Sequence, residues 1–70
     1  MQRRDYMLVA SIINDLDDAH MREVCAREFA YGFQKVDRSF KVQLFIDICL
    51  DASRNRNDIL NMGKRPDDTW

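Results

Sequence analysis

The chain has 70 residues, of which 46% are hydrophobic and 33% charged, and its 11 basic and 12 acidic residues leave a net charge of −1. This length corresponds to one small domain, and the apolar content excludes a disordered chain. The balance of charge argues against nucleic-acid binding driven by bulk charge. Two glycines and one proline leave little material for an all-β fold with many tight turns.

The first two segments have the apolar spacing of helices. Apolar residues recur at three- and four-residue steps over Arg4–Leu16, which predicts a first helix. Asp17 or Asp18 can cap a second helix over Ala19–Lys35. Gly32 costs that helix about 1 kcal/mol relative to alanine, and either allows another helix to approach or marks fraying. We expect the core face of the second helix to consist of Met21, Val24, Cys25, Phe29, Gly32, Phe33 and Val36.

The third segment, Val42–Leu50, is ambiguous between a strand and a helix. Its apolar residues alternate, as in a strand, but Phe45 and Cys49 occupy positions that should then be polar. A single strand would also lack a partner, because neither earlier segment alternates. We therefore predict a helix here. Asp37 and Ser39, in the connection that precedes it, are both suitable N-caps.

The resulting prediction is an all-α protein, a small three-helix bundle over residues 1–52. Residues 53–70 are more polar and are predicted to form a tail that contains a short helix at 57–62, with Asn57 as its cap and Gly63 as its stop. The last residue, Trp70, either folds back over the edge of the core or docks into a partner.

The cysteines and the ends of the chain bear on cellular location. No apolar stretch approaches the roughly 18–20 residues of a transmembrane helix, and Met1 is not followed by the apolar block of a signal peptide. We expect a soluble, cytoplasmic protein that does not associate with membranes. In such a protein Cys25 and Cys49 are expected to be buried thiols. Together with the single histidine, His20, they are also too few to form a zinc site.

Enzymatic chemistry has little support in these residues. The chain has no glycine-rich phosphate loop and no nucleophile-elbow pattern. His20 lies beside two aspartates at a helix start, where a solvated or capping role is expected, and a small bundle rarely has walls for a catalytic pocket. We therefore predict a protein that is not an enzyme, with no catalytic residues, no cofactor and no metal.

Two segments and two single residues together form a recognisable pattern. They are Arg4-Asp5-Tyr6-Met7-Leu8-Val9-Ala10, Asp37-Arg38-Ser39-Phe40, Phe45 and Cys49. This pattern resembles a family of small tailed-phage proteins that open with a basic residue, Asp and Tyr, and later have an Asn-Pro-x-Phe connection followed by Phe and Cys. The resemblance covers about residues 3–50. Arg38 departs from it, because the family often has proline there. The resemblance implies a phage origin, a bacterial host cytoplasm and an all-helical fold, and it implies no mechanism.

Protein binding is the function that these residues favour. A chain this short carries more apolar surface than three short helices can cover, and surplus apolar residues around a small bundle mark an interface. We predict that this protein binds either itself, as a homodimer, or a host protein that it modulates or inhibits. The predicted partner-binding residues are Met7, Leu8, Tyr31, Val42, Ile46, Leu50 and Trp70.

Two alternatives remain open. The first is a small nucleic-acid-binding regulator, although the candidate recognition helix, Val42–Leu50, is too apolar to read bases. Its phosphate contacts would come from Lys35, Arg38, Lys41, Arg54 and Arg56. The second is a virion or packaging accessory protein, which late rather than early expression during infection would distinguish from a protein that acts on the host.

Overall fold

The computed structural model describes residues 3–63, and within them the chain forms four helices and no strand. The helices are α1 (Arg3–Asn14), α2 (Ala19–Val36), α3 (Val42–Leu50) and α4 (Arg56–Gly63). The all-α prediction is confirmed, and so is the choice of helix over strand for Val42–Leu50. The three-helix description fits only roughly, because α4 belongs to the same packed unit.

Short polar side chains define where two of the helices begin. The Asp18 carboxylate accepts hydrogen bonds from the backbone N–H groups of His20 and Met21, so Asp18 is the N-cap of α2. At α4 the cap is Asn55 and not Asn57 as predicted. The Asn55 side chain accepts from the Asp58 N–H at 2.9 Å, and the Asp58 carboxylate accepts from the Asn55 N–H at 3.4 Å.

Three side chains donate hydrogen bonds to backbone carbonyl oxygens near the ends of helices and turns. The Asn14 amide donates to the carbonyl oxygens of Ile48, Cys49 and Asp51 at 3.0–3.2 Å, which joins the end of α1 to the end of α3. The Arg3 guanidinium donates twice to the Met62 carbonyl oxygen, at 2.6 and 3.1 Å. Arg22 donates to the Leu16 carbonyl oxygen. The Ile48 and Asp51 carbonyl oxygens also accept the backbone N–H groups of Asp51 and Arg54, so the Asn14 amide is an additional donor at the end of α3.

One aromatic cluster fills the centre of the bundle. Tyr6 of α1 lies 4.9 Å from Phe33 of α2 and 4.6 Å from Phe40, measured between ring centroids. Phe45 of α3 completes the cluster, 5.7 Å from Phe33 and 5.5 Å from Phe40. These separations and the tilted or edge-on geometries are those that aromatic pairs prefer. Much of the resemblance to the phage family lies in Tyr6, Phe40 and Phe45. The matching positions are therefore positions that pack in the core.

The segment after residue 52 contributes to the core. Helix α4 packs mainly against α1, and its Ile59 is fully buried. Gly63 permits this approach, because a Cβ there would lie 2.9 Å from the Arg4 Cα and 2.9 Å from the Met7 Cβ. Residues 56–63 therefore belong with the helical domain that we predicted to end at residue 52. The remainder of the predicted tail, residues 64–70, lies outside the described residues.

The core face of α2 differs from the predicted one. Its fully buried residues are Ala26 and Ala30, with Phe33 packed beside them, while Met21 and Val36 are exposed. Helix α3 is the main neighbour of α2, and two alanines four residues apart add little bulk to the buried face of α2. Of the large apolar side chains of α2, Phe33 joins the aromatic cluster, whereas Met21, Phe29 and Val36 are exposed.

Candidate functional site

The outward face of α1 carries two large apolar side chains. Leu8 and Ile12 are 46% and 47% exposed, and they lie four residues apart, on the side of α1 opposite to the buried Ala10. We call this pair the α1 patch. An amphipathic helix of a solitary domain normally places polar residues on this side. Helix α1 is therefore apolar on two faces, of which the core uses one.

A second apolar surface follows α2. The residues Met21, Cys25, Phe29, Gly32 and Val36 succeed one another at steps of 4, 4, 3 and 4, and at 100° per residue they fall within about 80° of the helix circumference. We call this set the α2 stripe. All of its members are exposed except Cys25, which is half-buried, and Val36 is 80% exposed. The apolar periodicity that the sequence shows along α2 is therefore present in the helix, but these residues lie mostly on the surface and not in the core.

The structure divides the predicted partner-binding residues. Met7 and Ile46 have only 2% and 5% of their surface exposed and belong to the core, so a partner cannot reach them in this fold. Their burial corrects our prediction that they are surplus, and α4 explains Met7, because this helix covers that side of α1. Val42 is partly buried against the core. The exposed residues of the predicted set are Leu8, Tyr31 and Leu50, and Trp70 lies outside the described residues.

The candidate phosphate-binding residues form two separate groups. Lys41 precedes the first residue of α3, whereas Arg54 and Arg56 follow its last, and a nine-residue helix is about 13 Å long. The second group is also engaged with acids. Arg54 pairs with Asp51 at 2.9 Å, and Arg56 lies 4.0 Å from Asp15. The structure does not join the two groups into one basic surface.

A cleft of about 310 Å³ lies where the ends of α1 and α3 meet the start of α4. Its wall includes Arg22, Arg54 and Arg56, and each of these guanidinium groups already faces a carbonyl oxygen or a carboxylate. The one thiol on the wall is that of Cys49. Burial, and to a smaller extent the nearby Cys25, raises the pKa of the Cys49 thiol to about 12, so it is protonated at neutral pH.

Two cysteines and one histidine complete the predicted chemistry. Cys49 is buried as predicted, whereas Cys25 is half-buried on the α2 stripe, and both are free thiols. His20 is exposed at the start of α2. Among residues 3–63, no three His, Cys, Asp or Glu side chains are grouped so that they could hold a metal ion. None of the described helices combines the length and the apolar character needed to cross a bilayer.

The prediction missed several exposed apolar residues. They are Ile12 of the first helix and, on the predicted core face of α2, Met21, Phe29 and Val36. The signal that could have identified the α2 stripe is the pair Ala26 and Ala30. Small residues at a four-residue step are a second, competing apolar face, and a helix with two apolar faces can bury only one of them within a thin bundle.

Comparisons with known proteins provide no relative for this chain. No family model matches it, and neither does any curated protein or solved structure.

Proposed function

We propose that this chain is a non-enzymatic phage protein that acts by binding a bacterial host protein in the cytoplasm and modulating or inhibiting it. The observation that carries the proposal is the α1 patch. Leu8 and Ile12 expose apolar side chains on the face of α1 that does not belong to the core. Covering such apolar surface with a partner is energetically favourable because it removes the surface from water.

The choice of a host protein rests on the resemblance to small tailed-phage proteins. Helix-in-groove recognition commonly uses apolar anchors at i and i+4, which is the spacing of Leu8 and Ile12. Arg4 and Asp15 are exposed on the same helix and its end, so the rim of the contact would carry both signs of charge. The separated and acid-paired arginines give the nucleic-acid alternative less support.

Two matched substitutions test this proposal. Leu8→Glu alters the α1 patch, and Leu44→Glu makes the same change at a comparably exposed leucine of α3. The wild-type chain should capture a discrete host protein from bacterial lysate. After that protein is purified, titration calorimetry should show binding that Leu8→Glu weakens at least about tenfold and Leu44→Glu leaves nearly unchanged.

Two results would refute the proposal. One is that the wild-type chain retains no protein above a bead control. The other is that the two glutamate variants bind the captured protein with equal affinity, since the contact would then lie elsewhere. Far-UV circular dichroism of both variants verifies that they are folded.

A further inference from the structure

Gly32 has no structural purpose within the described chain. It is exposed on α2, four residues before the end of the helix, it has no positive φ, and a Cβ built on it would meet no atom within 4 Å. An alanine would therefore fit, and it would favour the helix. Gly63 shows the contrasting case, since its missing Cβ is what allows α1 and α4 to touch. A glycine that no internal contact requires is explained if a backbone approaches from outside.

The surroundings of Gly32 fit a second helix. Phe29 and Val36 lie on either side of it along the α2 stripe, and both are exposed. Phe29 ends one row of four-residue steps and Gly32 begins the next, and such rows are the ridges that pack into the grooves of another helix. Its exposed apolar atoms need such a cover, because none of the other three helices supplies one.

Charge on one edge of the stripe indicates what covers it. Glu28 and Lys35 lie along the same edge, four residues before and three residues after Gly32. They are about 10 Å apart along the axis, which is too far for an ion pair within the helix. Neither side chain has an ion-pair partner among residues 3–63. A positive and a negative group are thus placed almost symmetrically about the glycine.

This symmetry is what a self-complementary contact requires. When two identical helices pack antiparallel about a twofold axis, the same edge of each helix meets, and positions equidistant from the crossing point face each other. With the axis beside Gly32, Glu28 of each copy faces Lys35 of the other. A parallel pair would instead bring this edge against the opposite one, where Arg22 and Phe33 already pack into their own subunit.

We propose that the α2 stripe binds a second copy of this chain, in an antiparallel twofold pair whose α2 helices cross at Gly32. Two Glu28–Lys35 ion pairs flank the crossing, and Phe29 and Val36 of both copies form its apolar centre. This contact is separate from the α1 patch, so the dimer leaves Leu8 and Ile12 free for another protein. Self-association can therefore be tested independently of host-protein binding, and the failure of one does not exclude the other.

Charge exchange tests the arrangement. Sedimentation equilibrium from micromolar to millimolar concentrations should show a monomer–dimer equilibrium for the wild-type chain. Glu28→Lys or Lys35→Glu alone should each raise the dimer dissociation constant about tenfold, because each replaces two attractions by two repulsions. The double variant Glu28→Lys/Lys35→Glu should recover the wild-type constant within about threefold, because it restores both pairs with their signs exchanged.

The matched controls lie on another face of α2. Glu23→Lys and Arg27→Glu make the same changes in net charge at an exposed pair whose atoms are 3.3 Å apart within one helix, and both should leave the dissociation constant nearly unchanged. Leu8→Glu should leave it unchanged as well. Gly32→Ala, which has room in the subunit, should raise it at least about tenfold, because the added methyl groups separate the two backbones at the crossing.

Several results would overturn the proposal. A chain that stays monomeric at millimolar concentration has no such contact. A double charge variant that fails to recover dimerisation, or controls that weaken it as much as the edge variants do, would exclude the antiparallel pairing. Dimerisation unaffected by Gly32→Ala would exclude a crossing at that residue.

Discussion

The two glycines of the chain support a paired prediction in which the same substitution has opposite effects. At Gly63 the added methyl group would lie 2.9 Å from the Arg4 Cα and 2.9 Å from the Met7 Cβ, both fixed in the first turns of α1. Carbon atoms pack best at about 3.5–4.0 Å, so α4 must move away from α1 by about 0.6 Å or more. That displacement also lengthens the hydrogen bonds from Arg3 to Met62, which are 2.6 and 3.1 Å long.

The expected magnitude follows from two opposing terms. Overpacking against backbone costs about 2–3 kcal/mol, and replacing glycine by alanine at the end of a helix returns about 0.5–1 kcal/mol. Gly63→Ala should therefore lower the free energy of unfolding by about 1–2.5 kcal/mol, which corresponds to a melting temperature about 10 °C lower for a chain of this size. Gly32→Ala meets no atom and should raise the free energy of unfolding by about 0.5–1 kcal/mol.

Urea denaturation followed by far-UV circular dichroism measures both effects. The samples are kept at a concentration at which light scattering shows monomer, so that self-association does not contribute to the free energy of unfolding. The reasoning is refuted if Gly63→Ala is as stable as the wild type, or if the two variants shift the urea midpoint in the same direction. Equal shifts would mean that α4 does not pack against α1 at Gly63.

Three further predictions concern a cap, an acid transition and a thiol. Asn14→Ala should cost about 1–2 kcal/mol of unfolding free energy in the same urea assay, because three carbonyl oxygens lose their shared donor; a loss no larger than that of an exposed asparagine would contradict the capping role. The pKa of Asp37 and of Asp51 is held below its usual value, chiefly by hydrogen bonds from the serine two residues later. Their contribution to stability is therefore complete above about pH 4 and is lost as the pH falls through the lowered pKa, so changing both to asparagine should flatten the acid limb of the pH–stability curve. Iodoacetamide should alkylate half-buried Cys25 before buried Cys49, whose pKa is raised to about 12, and mass spectrometry of peptides that showed the reverse order would contradict the burial of Cys49.

Local patterns in the sequence were sufficient for much of the fold. Three- and four-residue apolar steps predicted α1 and α2 to within two residues at each end, and Asp18 was one of the two predicted caps of α2. The helical choice for Val42–Leu50 rested on Phe45 and Cys49, and both are buried in α3 as a helix requires. These features depend on neighbours within one or two turns, which the sequence displays directly.

The faces that meet were decided only by the tertiary structure. On α2, the small residues Ala26 and Ala30 are fully buried, while the larger Met21, Phe29 and Val36 are exposed. Met7 and Leu8 are neighbours in the sequence with similar side chains, yet α4 covers the first and leaves the second exposed. Periodicity determines that a helix has an apolar side, but the distance and direction of neighbouring helices determine which apolar side chains lose contact with water.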